Sequence, residues 1–167
     1  MRIGILTISD RSAHGERADR SGPAIAQVIR QRGWSVDRVH VVPDDFQLLV
    51  DTLLEWADSG DFDIILTTGG TGFSPRDNSP EATLRVIERE TPGLTEAMRA
   101  ASLLVTPHAM LSRARAGIRE RTLIINLPGS PTGAVENLEV VLPVLEHAVA
   151  LLSEDPEAEK GHRPAGG

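Results

Sequence analysis

Short apolar, β-branched runs recur along this chain, each followed by a Gly-, Pro-, Asp- or Ser-rich segment and then by an amphipathic stretch of helical period. Arg2 to Ile8 reads as a buried strand that stops at Ser9-Asp10. A polar segment runs from Asp10 to Ser21, and Gly22-Pro23 opens a helix whose apolar face is Ile25, Val28 and Ile29 and which Gly33 ends. Trp34 to Val42 alternates as a second strand, closed by Pro43-Asp44-Asp45. Leu48, Leu49, Leu53, Trp56 and Ala57 mark the next helix, and Asp63 to Thr67 the third strand. Thr68 to Ser79 is loop, with Ser79 expected to cap a helix that begins at Pro80. A further helix follows Pro92-Gly93, a short strand is expected at Ala116 to Ile118, and a stronger one at Thr122 to Leu127. The last helix carries Leu138, Val141, Leu142, Leu145, Val149 and Leu152 on one face, with a kink expected at Pro143.

Strands that alternate with helices predict an α/β fold: a single-domain, three-layer αβα sandwich with a mostly parallel central sheet. The domain is expected over residues 1–153, with 154–167 as a loose tail. In such sheets ligands bind beyond the carboxyl ends of the strands. The segments that should carry the chemistry are therefore 9–22, 43–46, 68–79 and 126–132.

Composition narrows the function classes. With 167 residues, 40% hydrophobic and 25% charged, the chain can bury one core unaided. Cysteine is absent, which removes disulfides, thiolate metal sites and cysteine nucleophiles, and agrees with a cytoplasmic setting. The net charge of -7 and an aromatic content of 3% argue against nucleic-acid binding, which needs cations for phosphates and rings for bases. The apolar run at the N-terminus is too short for a signal peptide, and no stretch is long and apolar enough to span a bilayer. The histidines at 14, 40, 108, 147 and 162 lack metal-ligand spacing.

The sharpest motif is Thr67-Thr68-Gly69-Gly70-Thr71-Gly72-Phe73-Ser74-Pro75-Arg76-Asp77. Glycines let a backbone approach a ligand and aim successive N–H groups at it, and Thr68 and Thr71 add hydroxyls. It is neither a Walker loop nor a dinucleotide fingerprint, and a plain strand-to-helix turn is the competing reading. Asp77 ends this loop and Asp44 ends the preceding strand. Either Asp44 or Asp45 can cap the following helix. Carboxylates from adjacent strand ends can instead share a Mg²⁺, which favours oxygen ligands and bridges to phosphates. Together with an anion cradle this points to metal-assisted phosphoryl or nucleotidyl transfer. Ser9-Asp10-Arg11 and Asp19-Arg20-Ser21-Gly22 bracket the first long loop, where Arg11, Arg20 and Ser21 are candidates to hold a phosphate or to be solvated. Asn126-Leu127-Pro128-Gly129 is either a turn or a pocket wall, and Ser112 and Arg113 face either a pocket or a partner subunit.

Several of these segments occur together and in order: Ile8-Ser9-Asp10, Asp19-Arg20-Ser21-Gly22-Pro23, Val42-Pro43-Asp44, Thr68-Gly69-Gly70-Thr71-Gly72, Pro75-Arg76-Asp77, Pro80-Glu81-Ala82-Thr83, Met110-Leu111-Ser112-Arg113 and Ile125-Asn126-Leu127-Pro128-Gly129. In this the chain resembles the MogA/MoaB family of molybdopterin-binding proteins, from Arg2 to about Leu152. The resemblance implies a cytosolic, homotrimeric molybdopterin adenylyltransferase acting on molybdopterin and ATP with Mg²⁺. It places the key carboxylates, and the metal, on Asp44 and Asp77. It places substrate and nucleotide contacts on Ser9, Asp10, Ser21, Thr68, Gly69, Gly70, Thr71, Gly72, Ser112, Arg113, Asn126, Pro128 and Gly129. A molybdenum-insertion (MoeA-like) enzyme is the partner it suggests. A MoaB-type protein that binds molybdopterin or a precursor without adenylylating it is the alternative. A purely structural subunit has no need of paired carboxylates.

Overall fold

A computed structural model of the chain describes residues 1–156 and 158. Six strands form one sheet in the order β2-β1-β3-β6-β5-β4: β1 (Arg2–Ile8), β2 (Ser35–Val42), β3 (Ile64–Thr68), β4 (Arg89–Glu90), β5 (Ala116–Arg119) and β6 (Thr122–Leu127). The strands β2, β1, β3 and β6 are parallel, and β5 and β4 continue the sheet antiparallel. The helices are α1 (Asp10–Ala13), α2 (Ser21–Gln31), α3 (Phe46–Asp58), α4 (Ser79–Val86), α5 (Pro92–Leu103) and α6 (Pro131–Leu152), with a 3-10 turn at Pro107–Leu111.

Strand periodicity decides the layers. In β1, Ile3 and Ile5 pack toward α2, α5 and α6 with Ile25, Ile29, Met98, Leu138 and Leu142, whereas Leu6 and Ile8 pack toward α3 and α4 with Leu49, Leu53, Trp56 and Val86. Ile64 and Leu66 against Ile65 in β3, and Leu123 and Ile125 against Ile124 in β6, repeat the division. Both faces of the central strands are thus dry, which is why those runs are continuously apolar. The expected αβα sandwich is the observed one. Among the described residues no helix is long and apolar enough to cross a membrane.

Three local expectations change. Ser79 does not cap α4 from outside: it is the first helical residue, Asn78 precedes it, and its hydroxyl donates to the Gly69 carbonyl at 2.7 Å. A tertiary partner has displaced the local one. Residues 10–13 of the polar segment form α1, whose N-cap Ser9 accepts from Ser12 N. At the C-terminal end α6 is continuous through Pro143, which is exposed. Asp155 N still donates to Ala150 O and Ala158 is buried, so the first part of the expected tail packs on the body. Residue 157 and residues 159–167 lie outside the described residues.

Candidate active site

Because β1, β2, β3 and β6 are parallel, their carboxyl ends share one edge of the sheet, and the four Gly-, Pro- and Asp-rich segments meet there. Gly69 N donates to Leu127 O, tying the loop after β3 to the end of β6. A Cβ on Gly69 would lie 2.3 Å from Ile8 O, so this loop runs directly over the end of β1.

Asp10 and Asp44 lock the first and second loops in a reciprocal pair: Asp44 N donates to Asp10 Oδ1 at 3.0 Å, and Asp10 N donates to Asp44 Oδ2 at 3.1 Å. Asp45 caps α3 by accepting from Leu48 N at 2.8 Å, which settles the capping question and leaves Asp44 for the groove. Asp44 Oδ1 is 3.3 Å from the Cβ position of Gly70, and Asp77 Oδ2 is 2.9 Å from that of Gly72. Two residues of backbone span at most about 7 Å, so both carboxylates border one short stretch of loop. Burial, reinforced by the charges of Asp10 and Asp77, raises the Asp44 pKa above its ordinary value, with the backbone hydrogen bond from Asp10 and the charge of Arg76 opposing. Asp77 is oriented by Ser74 N, which donates to its Oδ2 at 3.0 Å.

Arg113 clamps this loop. Its backbone N donates to Thr71 O, Nε to Gly72 O at 2.7 Å, Nη2 to Asp77 O at 2.6 Å, and Nη1 pairs with Glu81. Its guanidinium fork thus holds Gly72, Asp77 and Glu81 together. Three further residues of the expected contact set are buried. Thr68 is fully buried and donates to Pro128 O at 2.6 Å. Asn126 is fully buried and donates to Thr67 and Thr83 hydroxyls while accepting from Arg115 N. Ser21 is buried and donates to Gly129 O at 2.8 Å. These side chains brace the loops from within. At the N-terminus of α2, Asp19 Oδ1 accepts from Ser21 N and Gly22 N; Arg11 and Arg20 are exposed.

The glycine loop also borders a cavity of about 470 Å³. Thr71, Gly72, Pro128, Ser102, Ser112 and Asn137 are among the residues that line it. Asn137 Nδ2 donates to Ser102 Oγ at 3.0 Å. The sequence reading missed Ser102 and Asn137. A signal existed: Ser102 continues the Leu94-Met98 spacing of α5, and Asn137 adjoins Leu138 on the buried face of α6. A polar residue on an apolar helix face marks a wall that meets something polar. Ser9, Asp10, Asp44, Asp77, Gly69 to Gly72, Ser112, Pro128 and Gly129 are brought to the one edge.

Among the described residues no three His, Cys, Asp or Glu side chains converge as a metal cluster. Both oxygens of Asp10 are engaged, by Asp44 N and by Arg76. What remains are two carboxylates beside a glycine-rich loop, a donor set whose chemistry fits a hard cation such as Mg²⁺.

Residues 4–147 match the family described as a probable molybdopterin binding domain. Molybdopterin adenylyltransferase of Helicobacter pylori is 42% identical over 154 residues, covering 91% of this chain and 88% of that protein. Gephyrin of Dictyostelium discoideum is 43% identical over 96% of this chain, which spans only 24% of gephyrin's length. A crystal structure of the molybdopterin biosynthesis enzyme MoaB from Thermus thermophilus superposes with a TM-score of 0.87 at 51% identity, covering 93% of this chain and 98% of that one. A glycine loop flanked by two strand-end aspartates, over a sheet of this order and in a chain this similar along its length, makes the protein a member of the MogA/MoaB family of molybdopterin-binding proteins.

Proposed function

We propose that the chain is a molybdopterin adenylyltransferase of molybdenum cofactor biosynthesis, which transfers AMP from ATP to the terminal phosphate of molybdopterin. The carrying observation is that Thr71 and Gly72 are common to the carboxylate-flanked loop and to the roughly 470 Å³ cavity, so two ligands can meet across one backbone wall. The relatives named molybdopterin adenylyltransferase support the same activity.

In this reading the loop of Gly69 to Gly72 receives the ATP phosphates through the N–H groups of Gly70, Thr71 and Gly72, with Gly69 N held by Leu127 O, and the cavity lined by Ser102, Ser112 and Asn137 receives the pterin. Ser9 and Asp10 form the rim, and Pro128 and Gly129 the wall toward β6. Asp44 and Asp77 would hold Mg²⁺, which supplies neutralisation of phosphate charge when bound. An oxygen of the pterin phosphate forms a bond to the α-phosphorus, the α–β bridging P–O bond breaks, and its electron pair leaves with pyrophosphate. The nucleophile is ionised near neutral pH, so the protein supplies no base. Its work is alignment and electrostatics.

The chain acts in this proposal as a cytoplasmic homotrimer built on the domain over residues 1–153. Leu104 at 91% exposure, Val105 at 74% and Met110 at 66% form an apolar rim near the cavity that subunit contact would cover. The product passes to a molybdenum-insertion (MoeA-like) enzyme. The test is mass spectrometry of product after incubation with ATP, Mg²⁺ and molybdopterin, beside Asp77→Asn. Asparagine can still accept from Ser74 N, so the variant folds, and adenylylated product and pyrophosphate should vanish. Unchanged pyrophosphate release would remove Asp77 from the chemistry. The MoaB-type reading, binding without transfer, is supported instead if molybdopterin binds tightly with no product.

A further inference from the structure

Arg76 stands among the acidic groups of the groove, yet the transfer step above gives it no task. Its Nη2 pairs with Asp10 Oδ2, joining the loop after β3 to the loop after β1 across the mouth of the site. The arm is 68% exposed, while its partner carboxylate is 22% exposed and anchored through its other oxygen by Asp44 N. Asp10 is therefore the fixed half of the pair and Arg76 the movable half. Asp44, beside it, lies within the fields of Asp10, Asp77 and Arg76 together. Like charges held this close need a counter-charge, and with no ligand bound the guanidinium supplies it. An exposed ion pair of this kind is weak and readily exchanged. A guanidinium is also the side chain best matched to phosphate oxygens.

We propose that Arg76 is a resident counter-ion of the carboxylate groove that exchanges with the divalent ion and then binds the ATP phosphates. The inference rests on the adenylyl-transfer reading, and it makes Arg76 act in opposite directions on two ligands. With no nucleotide present, Arg76 repels the cation. With nucleotide present, it attracts the polyphosphate. A purely structural arginine has no such inversion.

The experiment compares the full chain with Arg76→Gln and with Arg121→Gln, which removes the same charge at the start of β6 on the opposite edge of the sheet. Mn²⁺ binding without nucleotide is read by electron paramagnetic resonance, and ATP dependence by initial rates of pyrophosphate release at saturating Mg²⁺. Arg76→Gln should tighten Mn²⁺ binding roughly three- to tenfold, the effect of removing one nearby charge from a divalent ion at a solvated site. The same variant should raise KM for ATP by about tenfold or more. Arg121→Gln should change neither. Unchanged or weaker Mn²⁺ binding by Arg76→Gln, or an unchanged KM, overturns the proposal while leaving adenylyl transfer intact if the unaltered chain turns over. Equal tightening in Arg121→Gln reduces the effect to net charge and also overturns it. Failure of the unaltered chain to bind Mn²⁺ overturns this proposal alone, and failure to release pyrophosphate overturns both readings.

Discussion

Replacing Gly69 by alanine separates two costs that a glycine can hide. Gly69 has φ +105°, and an added Cβ would lie 2.3 Å from Ile8 O and 3.3 Å from Ile8 C. Gly33, just after α2, has φ +76° with nothing within 4 Å of the same position. Both substitutions place an L residue at positive φ, which costs about 1–2 kcal/mol. Only Gly69→Ala adds a collision, and the atom struck is backbone, in a strand buried between α2 and α3. Carbon and carbonyl oxygen need roughly 1 Å more separation than this, and forcing such a shift in a packed core costs about 1–3 kcal/mol. Gly33→Ala should therefore lose about 1 kcal/mol and a few degrees in Tm. Gly69→Ala should lose about 2–5 kcal/mol, or roughly 4–20 °C for a chain of this size. Urea unfolding reads this as a lower midpoint at unchanged slope. ATP binding should fall in Gly69→Ala and stay unchanged in Gly33→Ala. Equal destabilisation of the two variants would refute the argument that β1 and the loop touch through this glycine.

Two other substitutions test the electrostatics and the clamp. The raised pKa of Asp44 means that the folded state resists its ionisation: the contribution to stability is full below the unfolded carboxylate pKa and is lost as pH rises through the folded one. Asp44→Asn, whose oxygen can still accept from Asp10 N, should melt higher than the unaltered chain at pH 7, with the gap closing in acid, while turnover is abolished; a lower Tm at pH 7 would contradict this. Arg113→Lys cannot reach Gly72 O, Asp77 O and Glu81 at once, so turnover should fall about 100-fold from misplacement of Asp77, with molybdopterin affinity changed less than about threefold. Turnover equal to that of the unaltered arginine would show that the fork does not set the loop.

The local order of the chain was fixed by one-dimensional information. Apolar runs such as Ile3 to Ile8 and Leu123 to Leu127 can only be strands dry on both faces, and their alternation with amphipathic helices leaves few topologies. Parallel strands bring their carboxyl ends to one edge, so the gathering of residues 9–10, 44, 69–77 and 126–129 was legible from the residues alone. Which of those side chains face the groove was not. Thr68, Asn126 and Ser21 stand in those segments and are buried, because buried polar groups must find partners: carbonyls of the loop after β6 for Thr68 and Ser21, and threonine hydroxyls of β3 and α4 for Asn126. Ser79 took a tertiary partner for the same reason, and Ser102 and Asn137 reached the cavity from helices far along the chain. Sequence sets period, polarity and turn chemistry. Only the folded chain decides which hydrogen bonds between distant segments are made, since each depends on atoms brought together by packing rather than by spacing.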